Sequence, residues 1–103
     1  MRRSIILCLL IILPSVLAAQ KQKADSLLNL LEIEKTDTGK VNLMWELAGI
    51  INMYDPAGAL LYAQKALNLS TAIQYKEGES KSLGSLANTF RKMGNYTKAL
   101  ELN

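Results

Sequence analysis

The stretch from Leu83 to Leu102, LGSLANTFRKMGNYTKALEL, constrains this chain most, because its pattern occurs twice. Leu83, Leu86, Ala87 and Phe90 recur at i, i+3, i+4 and i+7, which is one face of an α-helix. Gly94 reads as a helix stop, since glycine takes the left-handed C-terminal conformation without a Cβ penalty. Asn95 reads as the N-cap of a following helix, whose apolar stripe opens with Tyr96, Ala99 and Leu100. Upstream, Met44, Leu47, Ala48 and Ile51 keep the first spacing at a displacement of 39 residues, and Ala59-Leu60 match Ala99-Leu100 at 40. The turn of the upstream copy has its own chemistry: Asp55 is a good N-cap, and Pro56 suits the first helical position, where a missing N–H is harmless. Small residues fall at matching places, Ala48 with Ala87 and Ala59 with Ala99, where paired helices approach closest. Two helical hairpins in tandem are predicted.

These residues resemble the tetratricopeptide repeat, whose pattern is a bulky residue, Leu-Gly, an aromatic, a later Ala and another aromatic. The second copy supplies Leu83, Leu86-Ala87, Phe90 and Ala99, with Gly94-Asn95-Tyr96 in the turn. The first supplies Met44, Leu47-Ala48, Ile51 and Ala59, followed by Ala63 and Ala66. The chain departs from the pattern in having Ala for Gly in both copies and Ala63 and Asn103 at aromatic positions. No proline closes the first repeat, and the period is longer than the usual 34 residues. It is similar to the long-period variant, with Lys76 to Glu79 opening the second repeat. The resemblance covers Thr36 to Asn103 and implies an all-α fold, a right-handed α-α superhelical solenoid of helix-turn-helix hairpins. Repeat 1 is then 36–75 and repeat 2 is 76–103.

The N-terminus reads differently. Met1-Arg2-Arg3 is a short positive region, Ile5 to Leu13 are nine apolar residues, and Pro14 precedes Ser15-Val16-Leu17-Ala18-Ala19. A nine-residue helix spans about 14 Å against about 30 Å of bilayer hydrocarbon, and the small residues after it suit a signal peptidase. Residues 1–19 are therefore expected to be a signal peptide, cleaved after Ala18 or Ala19, and the mature chain exported to the periplasm or secreted. Without Arg2 and Arg3 the basic count falls from 12 to 10 against 9 acids, a net charge of about +1. That balance is no footprint for nucleic acid, and contact with a membrane is expected only through the export signal. Cys8 is the sole cysteine and lies within the apolar run.

Residues 20–35 form a lead-in or capping helix. Its stripe is Ala24, Leu27, Leu28 and Leu31, with the stem of Lys35 at its end and Leu30 and Ile33 widening it. Thr36-Asp37-Thr38-Gly39 breaks it, with Asp37 as the expected N-cap of the next helix. Helices are then expected over 38–53, 56–74 and 76–93, with a last one starting at Thr97. The sequence stops inside that helix with Leu100 and Leu102 uncovered, which reads as a fragment of a longer repeat protein. Self-association through that uncapped C-terminal helix is the other way to cover them.

No catalytic chemistry is legible. There is no histidine, and Ser80, Ser82 and Ser85 have no base to activate them. Glu32 and Glu34, like Glu77 and Glu79, lie two apart and diverge on a helix. Gly78, Gly84 and Gly94 lack phosphate-loop spacing. The chain is not expected to be an enzyme, and no metal or cofactor is expected. The family resemblance implies instead a concave groove lined by the first helix of each hairpin. Carried over, the groove is Asn42, Trp45, Asn52 and Met53, then Lys81, Asn88, Arg91 and Lys92, with Gly49 and Gly84 between them. The implied partner is a protein or peptide. Gly84 leaves empty a basic position that the carboxylate clamp of chaperone-binding members needs. Two functions fit this frame: an exported scaffold for protein–protein interaction, or the N-terminal periplasmic sensory region of a longer bacterial signalling protein. The second would be a repeat-containing histidine kinase or cyclase with its catalytic domain beyond residue 103.

Overall fold

The computed structural model describes the backbone of residues 2–102 and the side chains of residues 15–95, and every element among them is an α-helix. In order these are α1 (Arg2–Ile33), α2 (Asp37–Ile51), α3 (Pro56–Ala72) and α4 (Lys76–Leu102). The backbone of α1 runs unbroken through the apolar segment and the lead-in segment alike. The side chains of Ile5 to Leu13, Cys8 included, lie outside the described residues, as do those of Tyr96, Ala99, Leu100 and Leu102.

The hairpin of α2 and α3 packs through facing buried residues. Met44, Leu47, Ala48 and Ile51 are all buried, facing the fully buried Ala59, Ala63 and Ala66 of α3. Alanines along one face let two helix axes approach closely, since the side chains at the contact set the interaxial distance. One cluster joins all four helices: Ala24 and Leu27 of α1, Leu47, Ala48, Ile50 and Ile51 of α2, Ala59 and Ala63 of α3, and Leu86 of α4. A second cluster of Val41, Met44 and Ala66 gathers Leu31, Trp45, Tyr62, Leu69, Ile73 and Tyr75 around it. On α1, Leu30 and Ile33 are exposed and do not widen the packed stripe. Leu30 borders the packed stripe beside Leu27, and Ile33 lies on the opposite side of the helix.

The caps are local chemistry. Asp55 accepts the Gly58 N–H at 3.1 Å, with Pro56 opening α3 as expected. At the start of α2 the N-cap is Thr36, not Asp37: the Thr36 Oγ1 accepts the Gly39 N–H at 3.1 Å. Thr36 also donates from its hydroxyl and its backbone N–H to Glu34 Oε1, at 2.8 and 3.1 Å. The hydroxyl bond first, then the backbone bond, holds the Glu34 carboxyl below its ordinary value. This junction is accordingly at full strength above the ordinary value and weakens as pH falls through the lowered one.

α3 ends without glycine. Gln74 takes φ of 58°, the Gln74 N–H donates to Thr71 O at 3.2 Å, and the Tyr75 N–H donates to Ser70 O at 2.8 Å. This is a Schellman closure, with a residue bearing a Cβ at its left-handed position. Such a conformation costs about 1–2 kcal/mol for a residue other than glycine. Gln74→Gly should therefore stabilise the fold by up to about 1 kcal/mol once the extra unfolded-state entropy of glycine is subtracted. Urea denaturation of the two proteins measures it, and a lower midpoint for the variant would contradict the assignment.

α4 departs from the sequence reading in two ways. Its backbone is helical from Lys76 to Leu102, so no turn forms at Gly94, which lacks positive φ. Glycine weakens a helix by only about 1 kcal/mol, and extending an existing helix adds hydrogen bonds without a new nucleus. A second difference is the packed face. Leu86 is buried as expected, but Ala87 is exposed, and Leu83 and Phe90 are 51% and 58% exposed. The face turned to α2 and α3 is instead Gly78, Ser82, Leu86 and Thr89. Its hydroxyls are satisfied within the helix: Ser82 donates to Gly78 O at 2.7 Å and Thr89 to Ser85 O at 2.8 Å. Gly78 permits a close approach, because a Cβ there would lie 2.7 Å from Val41 Cγ1 and 2.5 Å from Tyr75 Cδ2.

Candidate functional site

The surface shared by α2 and α4 is built from the sides of these helices that their core contacts leave over. On α2 the positions left over include Asn42, Trp45 and Gly49, with Met53 just past its end. On α4 they include Lys81, Gly84, Asn88 and Arg91. Trp45 is half-buried against the Val41, Met44 and Ala66 cluster, and its indole N–H donates to Asn42 Oδ1 at 3.3 Å. The same oxygen accepts from the Tyr75 hydroxyl at 3.0 Å, so Asn42 is held from two directions. From α4, Lys81 Nζ stands 5.6 Å from the centre of the indole ring, and Ser85 Oγ donates to the Trp45 carbonyl at 3.3 Å. A cation over an aromatic face is attracted by the ring quadrupole, by about 0.5–1 kcal/mol where exposed.

Not all eight residues of the expected groove share this centre. Lys92 is committed elsewhere: its ammonium donates to the Met53 carbonyl at 3.0 Å, just past the end of α2. A cation there complements the negative end of the helix dipole, which makes Lys92 a tie between α2 and α4. Asn52 is half-buried, and its Oδ1 is buried without a hydrogen-bond partner among the described residues. Met53, Asn88 and Arg91 are exposed at the far end from Asn42. The structure thus brings Asn42, Trp45 and Lys81 into contact, joins Met53 to Lys92, and leaves Asn88 and Arg91 as rim.

Tyr75 and Ser85 also belong to this surface; the sequence reading passes over Tyr75 and names Ser85 only as a serine without a base. Tyr75 lies at the end of the Schellman turn, where a glutamine in the glycine position hid the signal. From Ser80 to Met93, α4 carries Lys81, Arg91 and Lys92 and no acidic residue. Among the described residues no group of three or more His, Cys, Asp or Glu side chains converges. The arrangement offers an aromatic surface, a cation stacked on it and one amide, that of Asn42, held from two directions. Comparison of the chain with protein-family models, curated proteins and solved structures finds no match.

Proposed function

We propose that the chain is an exported scaffold that binds a segment of another protein on the α2–α4 surface, as the first hairpin and following helix of a tetratricopeptide-like solenoid. The observation that carries the reading is Trp45, half-buried, oriented by Asn42 and stacked under Lys81. An indole of this kind is a frequent interface anchor, since it offers large apolar area at little conformational cost. A peptide would lay an apolar side chain on the indole and bring an acidic group to Lys81, with Arg91 steering it from the rim. The apolar leader and the small residues before Gln20 support export to the periplasm as the setting.

The test is affinity capture from periplasmic extract followed by titration calorimetry on the captured protein. Trp45→Ala should weaken that binding by about 2 kcal/mol. Gln64→Ala, at an exposed place on α3 where Gln64 donates to Asn68, should leave it unchanged. A partner that binds the Trp45 variant as tightly as the parent would remove this surface from consideration.

A further inference from the structure

The hydrogen bonds around Asn42 leave it one orientation and one unused function. An indole N–H can only donate, so the amide atom that meets it at 3.3 Å is the oxygen. The Tyr75 hydroxyl donates to the same oxygen at 3.0 Å, which occupies both of its lone pairs. The NH2 end of this exposed residue is left over, and neither of its N–H groups meets an acceptor among the described residues. Beside it the Lys81 ammonium lies over the indole and has no carboxylate partner among the described residues. Glu46, the exposed acid of α2 next to Trp45 in sequence, lies about 100° around the helix from the indole and so stands on the other flank of Asn42. Gly49, on the same face of α2 as Asn42, and Gly84 on α4 have nothing within 4 Å of where a Cβ would be. A helix surface without a side chain lets another main chain come close.

We infer that Asn42 receives a backbone carbonyl of the partner, that the partner segment is extended where it crosses α2, and that Tyr75 is the positioning residue for this contact. The inference rests on the reading of this surface as one that binds a protein segment. The polar groups left over beside the indole are donors, so the matching edge of the ligand is an acceptor. A helical segment has its carbonyls bonded within itself, whereas an extended one presents them to either side in turn. Main chain also suits the two glycine positions better than bulky side chains held off by a helix radius. Tyr75 acts through Asn42: its hydroxyl and the indole N–H together fix the plane of the amide, so the donor is oriented before the partner arrives. Without that hydroxyl the amide has one anchor and can turn. The direction of the donor is thus set by the turn after α3, from which Tyr75 reaches Asn42.

The probe is the blocked peptide N-acetyl-Leu-Asp-Leu methylamide, titrated into the full chain in mild detergent and followed by the fluorescence of Trp45, the sole tryptophan. Its analogues each carry an (E)-alkene in place of one amide, which keeps the shape and lacks the carbonyl. Binding at about millimolar level is expected, weakened about fivefold by one of the alkenes. Asn42→Asp keeps an oxygen for Trp45 and Tyr75 to donate to and removes the outward donors. Acrylamide quenching of the free variant should therefore match the parent, while the critical alkene should no longer weaken its binding. Tyr75→Phe should raise quenching in the free protein and weaken binding of the all-amide peptide but not of that alkene. No binding to the parent would overturn the proposal. So would an alkene effect that is the same in the parent and the Asn42→Asp protein, as a side-chain contact would give. Trp45→Ala keeps the two readings apart. If it abolishes binding while Asn42→Asp behaves as the parent, the surface stands and the role of Asn42 falls; if it leaves binding unchanged, both fall.

Discussion

Leu47→Ala is expected to remove about 3–5 kcal/mol of stability. Leu47 is the largest fully buried side chain among the described residues, and its cluster draws on all four helices. Truncation there loses the transfer free energy of the removed carbons and leaves a cavity that three neighbouring helices would have to shift together to close. A domain of this size has about 5–15 kcal/mol in total, so the loss is a large share of it. Thermal unfolding followed by circular dichroism should place the midpoint roughly 12–30 °C lower. Leu61→Ala is the control, because Leu61 is 56% exposed on the outer side of α3 and its loss should stay within about 1 kcal/mol. Equal effects from the two would mean that the helices do not share a common centre.

How much of this was legible follows from where the information lies. The α2–α3 hairpin reads directly: Met44, Leu47, Ala48 and Ile51 repeat at helical period, and Asp55-Pro56 marks a helix start. Both signals are local, and tertiary packing agrees with them. α4 contains the same apolar period, yet Leu83, Ala87 and Phe90 stay outside. Its core face uses glycine and hydroxyl residues that no hydrophobic pattern reveals. Ser82 and Thr89 can be buried because each returns its hydroxyl proton to a carbonyl four residues back in its own helix. Small side chains then gain close contact with α2 and α3 where large ones would hold the helices apart. Gly78 and Ser82, two small residues four apart and in line with Leu86, were the available signal.

The candidate site was legible to a similar degree. The family resemblance implied Trp45 and Lys81 as members of one surface, and their contact follows from α2 and α4 packing side by side. The role of Lys92 depends on where α2 ends against α4, a tertiary fact carried by no stretch of sequence. Tyr75 reaches Asn42 only because Gln74 turns the chain left-handed after α3. In each case the missing information was the position of one helix end relative to another helix.

Ala63→Leu should destabilise the protein by about 3 kcal/mol, at or above the upper end of ordinary overpacking. Ala63 is fully buried in the middle of α3, in the cluster that holds Leu47 and Ala48 of α2 and Leu86 of α4. A leucine would have to displace α2, α4 or both. Neither moves freely: α2 is also packed against Ala24 and Leu27 of α1, and α4 is tied to α2 by Lys92 and Ser85. The added methylenes cannot turn into solvent from this position, so no burial gain offsets the strain. Ala57→Leu, at an exposed place on the same helix, should change stability by no more than about 0.5 kcal/mol. Guanidinium titration of both variants separates close packing from helix propensity, because the substitution is chemically the same at the two sites. If Ala63→Leu matched Ala57→Leu, α3 would not be wedged between α2 and α4. The small-residue face that defines the hairpin would then be a feature of sequence alone.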